Sequence, residues 1–540
     1  MNHPPKSGRR EAISHMNAAG WARRTGLIAM LILFVLEATA CFPGRDSSAL
    51  PPSSPPAAAA TGSNAAAHGT PLRMFVSNNA QQIPAGKAMN LPTVQYLARQ
   101  TGTELDITFL PHENYMEQLR LKFASGDIPD VHMVWGAENS ELVASNLALD
   151  LRPYIDAYGP NLRKFIPQSA WDAVTMNGKI VAIPQIAQGN APAERLLFVR
   201  KDWMDKLGLE EPQTSGEFLD MLRAFRDGDP NGNGLPDEIP FSSREKLEWA
   251  DNIFGMFGIN PDSNVLYQGE IIPGFVHPNM KEALGFMRTM YQEGLLDKEF
   301  LTNSRAMWDQ KIKSDLVGVW NHVVFGVYDP WQKELSSLIP EKRPNVEAIS
   351  TPRGAGYEGS LGRVEKPVLK TFIVYKETKH PEAAVRMMDW LISEEGQLFA
   401  ELGVEGISYT RKNGAIQYNA KNDRDLRWRS AVFMLHGFRD QAQKALINNE
   451  ESYRKLLRSI EISRKEGIPN PTSGMPPSDT MTKKPDLTYK GTFQEAATSI
   501  ILGEKPLDTF DDFVAEWKTQ GGEDIIREMT GWYKANRANK

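Results

Sequence analysis

Ten residues, Asp229-Pro230-Asn231-Gly232-Asn233-Gly234-Leu235-Pro236-Asp237-Glu238, carry the sharpest chemical signal in this chain of 540 residues. Side-chain oxygens recur at positions one, three and five (Asp229, Asn231, Asn233), and Gly234 at six permits a sharp turn. Leu235 offers a backbone carbonyl at seven and Asp237 a carboxylate at nine. A hard cation such as Ca²⁺ takes about six to eight oxygen ligands, and such alternation supplies them. An EF-hand loop ends on a glutamate at position twelve; here that position is Pro240, so Glu238 at ten is the carboxylate able to replace it. No position is left open towards a substrate, so calcium is expected as a structural cofactor with no chemistry of its own. The same run also suits an Asx/Gly turn that closes a helix without any metal.

The second chemistry is recognition. A sugar ring has an apolar face of C–H groups and an edge of hydroxyls, matched by flat aromatic side chains together with hydrogen-bonding groups. Leu316 to Trp320 is an apolar strand ending beside Asn321 and His322, which makes Trp320 and Asn321 the leading cleft candidates, followed by Trp249, Tyr328 and Trp331. Nearer the start, Leu72 to Val76 reads as a strand ending in Ser77-Asn78-Asn79, and Val131 to Val134 as one ending in Trp135. Helical spacing fills the gaps between them, through Val94 and Leu97 and again through Met116, Leu119 and Phe123. Strand, helix, strand, helix, strand is an α/β layer with a mostly parallel sheet, whose ligands sit at the carboxyl ends of the strands, so Asn78, Asn79 and Trp135 belong to the candidate site. Against an enzyme, there is no Gly-x-Ser-x-Gly elbow, no His-Glu-x-x-His and no cysteine after Cys41. A carboxylate pair at glycosidase separation stays open, because Asp and Glu total 67.

The elements that must present these residues begin after a leader. Two arginine pairs precede an apolar run, Gly26 to Leu36, that is closed by Ala38-Thr39-Ala40. The run is shorter than the roughly 20 residues of a membrane span, so residues 1–40 read as a signal peptide. Ala38-Thr39-Ala40-Cys41 resembles the lipobox of bacterial lipoproteins, which implies diacylglyceryl modification of Cys41, the single cysteine, and stable attachment through two acyl chains. The same order suits an ordinary signal peptide or an uncleaved anchor. Residues 41–69 are rich in Pro, Ala and Ser, a flexible tether.

The remainder is too long for one hydrophobic core, so two lobes are expected. The formal charge is −6, and the leader carries five of the basic and two of the acidic groups, leaving about −9 without it. That sign disfavours nucleic acid as a partner. A cleft can still be locally basic, and Arg195, Arg200 and Lys201 cluster near a predicted crossing. With no cysteine pair, stability must come from the core, helped by the metal, and not from disulfides.

Ala124-Ser125-Gly126-Asp127-Ile128-Pro129-Asp130 and Arg200-Lys201-Asp202-Trp203-Met204-Asp205-Lys206-Leu207-Gly208-Leu209 resemble the extracellular solute-binding proteins of ABC importers, family 1. Within it the likeness is to the large lipoproteins of complex oligosaccharide uptake, the alginate-binding proteins included, and it runs from about residue 72 to the C-terminus. It implies a type II, two-lobed α/β fold with a hinge and an interlobe cleft. The implied lobes are 70–198 plus about 372–425, and 199–371 plus about 426–540. Arg195 to Arg200 and Val368 to Tyr375 are the implied crossing strands, though each also reads as an ordinary core strand within one lobe. Asp202 is the expected N-cap of the helix after the first, and Thr214-Ser215-Gly216-Glu217 a capping box for the next. Similar proteins carry the Asp-x-Asn-x-Asn-Gly-x-x-Asp-Glu loop as a structural calcium site. Their Gly-Ile/Val-Glu-Gly turn adds Glu405 and Tyr409 to the ligand candidates.

The implied function is a lipid-anchored, extracytoplasmic, monomeric receptor that delivers an oligosaccharide to the transmembrane subunits of an ABC permease. A carbohydrate-active enzyme and a sugar sensor are the alternatives.

Overall fold

The computed structural model describes residues 69–79, 81–186, 193, 195–323, 330–436 and 440–536. The expectations for the leader, for Cys41 and the tether up to residue 68, and for Tyr328 fall outside the described residues. Two sheets organise the chain. Their strands are β1 (Thr70–Ser77), β2 (Thr103–Leu110), β3 (Val131–Val134), β4 (Ile183–Ile186), β5 (Arg195–Arg200), β6 (Ile239–Ser242), β7 (Val317–Val323), β8 (Val346–Ile349) and β9 (Val368–Val374).

The first sheet has the order β2-β1-β3-β9-β4 and the second β8-β5-β7-β6. In the first, β1 and β2 lie parallel from Thr70↔Thr103 to Ser77↔Leu110, and β3 is parallel to β1. β9 runs antiparallel between β3 and β4, with Val368 opposite Ile186. The carboxyl ends of β1, β2, β3 and β4 therefore share one edge with the start of β9. In the second sheet β6 and β7 are parallel, while β5 runs against β7 with Arg195 opposite Val323. The ends of β6 and β7 and the start of β5 thus form the corresponding edge.

Each sheet is covered on both faces, which is why the strands read as almost unbroken apolar runs. The first lobe buries Met74, Val131, Ile183, Phe372, Met388 and Trp428 in one core. The second lobe has a core on either face of its sheet, and strand alternation sorts the residues: Leu197 and Val199 enter one with Phe225 and Met287, Leu196 and Phe198 the other with Trp308 and Trp320. The capping box is formed, with Thr214 Oγ1 accepting the Glu217 amide at 3.2 Å and Glu217 Oε2 accepting that of Thr214 at 3.1 Å. Among the described residues no helix is long and apolar enough to cross a membrane.

Three details correct the sequence reading. The segments Arg195 to Arg200 and Val368 to Tyr375 do not bridge the lobes as strands: β5 is interior to the second sheet and β9 to the first. β4 ends in the first sheet at Ile186 and β5 begins in the second at Arg195, while Val364 still pairs with Ile468 of the second lobe before β9 enters the first sheet at Val368. Apolar content shows that a strand is buried, not which sheet buries it. The second return also lies later than 425, because Trp428, Val432 and Phe433 pack in the first core and Ala442 packs on Leu402 and Tyr409. The helix Glu450–Lys465 then contacts β8 and β5, so the last crossing is near Asn448 and Asn449. Asp202 is the second residue of its helix and not its N-cap; its carboxylate binds Arg200 at 2.9 and 2.6 Å and accepts the Asn345 amide at 2.9 Å.

Candidate ligand-binding site

The edge of the first sheet presents polar and aromatic groups in close register. Asn78 Oδ1 accepts the backbone amide of His112, 3.0 Å, which ties the end of β1 to the residue two past β2. His112 Nδ1 lies 3.2 Å from Ser77 Oγ, and its ring stands edge-on to Trp135, centroids 5.3 Å apart. Tyr115 braces Trp135 from another side at 5.5 Å. Asn79 takes φ +51°, a left-handed conformation asparagine tolerates, and donates Nδ2 to Ser77 O at 3.0 Å and to Ala431 O at 3.5 Å. Lys370, near the start of β9, donates to the same Ala431 carbonyl at 2.7 Å. Burial pulls its ammonium down to about 8, since a charge held away from water favours the neutral form.

The facing edge of the second sheet is built around Trp249. Its backbone has φ +62°, and Lys246 (+59°) and Leu247 (+62°) share the left-handed region, so three non-glycine residues in four are strained. Strain of this kind costs about 1–3 kcal/mol per residue and is kept where surrounding contacts over-determine it. Those contacts are visible: the Trp249 ring stacks on His322 at 4.7 Å and 10°, and the Arg195 guanidinium lies over it at 4.4 Å. Arg195 in turn pairs with Asp251 at 2.8 Å. His322 is pushed down to about 3, by burial first and then by the charges of Arg305 and Arg195, so it is a neutral imidazole.

The charge of Arg305 acts on the histidines of both edges, His112 and His322. The pKa of His112, in the first lobe, is lowered by burial and next by the charge of Arg305 in the second lobe, with Lys370 adding to the effect and Glu113 opposing it. A separate cavity of about 650 Å³ lies between Ser169 and Asp172 of the first lobe and Val265, Tyr357, Glu365 and Asn470 of the second, and shares no residue with these edges.

The sequence candidates divide. Asn78, Asn79, Trp135 and Trp249 lie half-buried at the two edges. Trp320 and Asn321 do not reach a surface: both are 0 % exposed. The strand continues to Val323, so Trp320 sits mid-strand against Trp331 at 5.5 Å while Asn321 bonds Leu196 O and Asn252. Trp331 is 3 % exposed and its indole N–H is held by Asp309. Glu405 and Tyr409 are neighbours of Arg411 and Tyr96 on the helical flank of the first lobe, and none of their described contacts reaches either edge. Sequence reasoning passed over His112, although it follows β2 just as Asn78 follows β1. It also passed over Lys370, which the carboxyl-end rule cannot find because β9 runs the other way.

The loop 229–238 is curled by left-handed Asp229, Gly232 and Gly234 (φ +44°, +72°, +76°). Asp229 accepts the amides of Asn233 at 3.1 Å and Gly234 at 3.2 Å, while Asn231 and Asn233 turn their amide groups onto Asp237 at 3.0–3.1 Å. Both carboxylate oxygens of Glu238 are enclosed, and neither makes a hydrogen bond of normal geometry. Its pKa is raised, mainly by burial and further by Asp229 and Asp237, against the pull of the nearby amides of Glu238 itself and Asn231. Among the described residues no three His, Cys, Asp or Glu side chains form a ready metal cage. The donor set, with amide oxygens and an orphaned carboxylate, fits a hard cation.

Residues 79–398 match the family of bacterial extracellular solute-binding proteins. This chain belongs to that family. Lipoprotein LipO of Bacillus subtilis (strain 168) is 24 % identical over 479 residues, 84 % of this chain and 91 % of LipO. The fructooligosaccharide ABC transporter substrate-binding protein FusA of Streptococcus pneumoniae is 32 % identical over 278 residues, 48 % of this chain and 50 % of FusA. In structure, the alginate-binding protein AlgQ2 without calcium ion superposes with a TM-score of 0.67 at 20 % identity, over 86 % of this chain and 98 % of that one. An EF-hand mutant of FusA in complex with fructo-nystose gives a TM-score of 0.65 at 19 % identity, over 87 % and 100 %. The two-lobed α/β fold of this solute-binding protein is thereby shared with both.

Proposed function

We propose that this solute-binding protein is the receptor of an ABC importer, gripping an oligosaccharide between its lobes and handing it unaltered to the permease. The observation that carries the reading is the pairing of Trp135 with His112 on one sheet edge and Trp249 with His322 on the other, brought within range of the same charge, Arg305. Aromatic planes from two separately packed lobes, flanked by Asn78, Asn79 and Arg195, suit sugar rings whose faces stack and whose hydroxyls bond. Closure of hinged lobes around a ligand is the general behaviour of periplasmic binding proteins, so no covalent step is required. The family's members are binding proteins, and LipO, FusA and AlgQ2 are named for lipoprotein or sugar-binding character.

The reading extends to three attachments. Diacylation of Cys41 holds a monomer at the outer face of the cell membrane with the tether giving reach. Calcium is held by Asp229, Asn231, Asn233, the Leu235 carbonyl, Asp237 and Glu238, where it supplies the positive charge that Glu238 lacks. The transmembrane subunits of a permease receive the sugar.

Titration of the full chain in detergent with an oligosaccharide panel tests the core of this. Saturable tryptophan quenching with the sugar recovered intact is expected, and Trp249→Ala weakens it about tenfold or more. Released product, or quenching unchanged in Trp249→Ala, overturns it. Cys41→Ser is expected to move the protein from the membrane fraction to the medium.

A further inference from the structure

Trp249 is carried by a backbone that does not hold its shape by local preference, since Lys246, Leu247 and Trp249 itself lie in the left-handed region. Two residues on, Asp251 opens the short helix Asp251–Gly255, and this helix is fixed to a distant stretch of chain, Gly362 to Val364, in three ways. Arg363 Nε meets the Asp251 carboxylate at 2.9 Å. Asn260, wholly buried, donates Nδ2 to the Asp251 carbonyl at 2.8 Å and accepts the Val364 amide on Oδ1 at 2.7 Å, so one side chain spans both backbones. The Gly362 amide donates to the Gly255 carbonyl at 3.2 Å, and the approach is close enough that a Cβ on Gly255 would collide with the Gly362 carbonyl.

The stretch so held is the last of the second lobe before the chain enters the first sheet at Val368. Arg363 is anchored there by Asp262, which accepts its guanidinium fork at 2.7 and 2.6 Å. From that anchor a line of direct contacts reaches the aromatic face. Asp262 holds Arg363, Arg363 holds Asp251, and Asp251 holds Arg195 at 2.8 Å, whose guanidinium lies 4.4 Å from the centre of the Trp249 ring. Asp251 therefore governs the ring twice, through the backbone two residues away and through the arginine above it. Arg363 is 0 % exposed, so it acts on a ligand only through the groups it holds.

We propose that Arg363 is a positioning residue of the Trp249 platform: through Asp251 it fixes the ring, and Arg195 over it, in register with the segment that leads back to the first lobe. A platform held in this way meets a sugar in one orientation and is not ordered at the expense of binding. The inference rests on the sugar-receptor reading above and adds to it a residue that no sugar touches.

The test uses the full chain in detergent, labelled with 5-fluorotryptophan, the Trp249 resonance being the one that Trp249→Phe removes. Arg363→Met is expected to shift and broaden that resonance with no ligand present. Asp315→Asn is the comparison, because it loosens a buried arginine of the same kind, Arg200, at the opposite end of β5; it is expected to leave the Trp249 resonance in place. In titrations with a panel containing kestose, galactotriose and trigalacturonate, Arg363→Met is expected to weaken the tightest of the sugars about tenfold. In a Trp249→Ala background the same substitution is expected to cost less than about twofold, because the ring it positions is gone. If Arg363→Met does not fold, Asp251→Asn, which keeps the size of the side chain, is read in its place with the same expectations. A Trp249 resonance unmoved by Arg363→Met, one moved equally by Asp315→Asn, or an affinity loss of the same size in the Trp249→Ala background overturns the positioning role and leaves the receptor intact. A resonance that moves as expected in a protein that binds none of the panel supports the positioning of the ring and overturns the sugar reading.

Discussion

Asp251, Asp262 and Glu238 are all carboxylates of the second lobe, from buried to partly exposed, yet their surroundings are opposite. Asp262 takes a bidentate grip from Arg363 at 2.6 and 2.7 Å with Lys366 at 3.6 Å, and Asp251 is shared between Arg195 at 2.8 Å and Arg363 at 2.9 Å. Burial alone would raise Asp262, but Arg363 and Lys366 outweigh it and hold it below the ordinary carboxylate range; Arg195 and Arg363 do the same for Asp251. Glu238 has burial and two like charges, and no cation. The first arrangement is complete within the chain and ties the start of β5 to the segment returning towards β9. The second has no cation of its own among the described residues, and the proposed calcium would supply one.

Breaking the completed lattice has the largest expected effect. Arg363→Met leaves Asp251 with Arg195 and Asp262 with Lys366, so the loss falls at the lower end of what removing a buried partner costs, about 3 kcal/mol of unfolding free energy by urea denaturation. Asp262 keeps 24 % of its side chain exposed, which also argues for the lower end. A loss within about 0.5 kcal/mol would make the lattice an ordinary surface network and erase the contrast.

Supplying the missing charge comes next. Calcium at about a hundred times its dissociation constant is expected to stabilise the folded chain by about 2.7 kcal/mol, read as a rise in Tm that a chelator reverses. The same addition is expected to leave the Arg363→Met deficit unchanged, because the two sites share no residue. A Tm indifferent to calcium and chelator would remove the metal assignment.

These contrasts show what a sequence conveys and what it withholds. The two-lobed α/β fold, the calcium-type spacing and the residues just past β1 and β3 were legible, because periodicity, turn residues and strand ends are local properties. The ionic lattice was not, since Arg195, Asp251, Asp262 and Arg363 lie up to 168 positions apart and meet only once the fold exists. Trp320 misled for a related reason: its strand runs three residues further than its composition suggests, and one step along a doubly covered strand exchanges a cleft for a core. Lys370 was hidden by direction, because a single antiparallel strand inverts which of its ends lies at the candidate edge.

A neutral side chain at Glu238 inverts the usual sign of a core mutation. Glu238→Gln keeps the shape and removes a partly buried charge that has no cation beside it, so without metal the variant is expected to be about 1 kcal/mol more stable than wild type, and with calcium less stable. The pH dependence follows from the raised pKa: the folded state holds the proton longer than the unfolded one, so metal-free wild type loses stability as pH rises through the carboxylate range, and the gap to Glu238→Gln widens with it. Asp262 runs the other way, its folded pKa lying below the unfolded one. Its contribution is whole above about pH 4 and is lost only as pH falls further. A gap that narrows with rising pH would mean that Glu238 has a counterion after all.

The smallest effect addresses Lys206, a cation that touches the loop. Lys206 donates to the carbonyls of Asp229 and Pro230 at 2.8 and 3.1 Å, gripping the loop's backbone from outside. If it served as the counterion, Lys206→Met would raise the cost of Glu238 and mimic loss of calcium. Because it serves as a peg on the carbonyls of Asp229 and Pro230, the variant is expected to lose only about 0.5 kcal/mol and to keep its full response to calcium. A larger loss, cured by added metal, would place Lys206 in the same class as Arg363 and make the loop a second completed site.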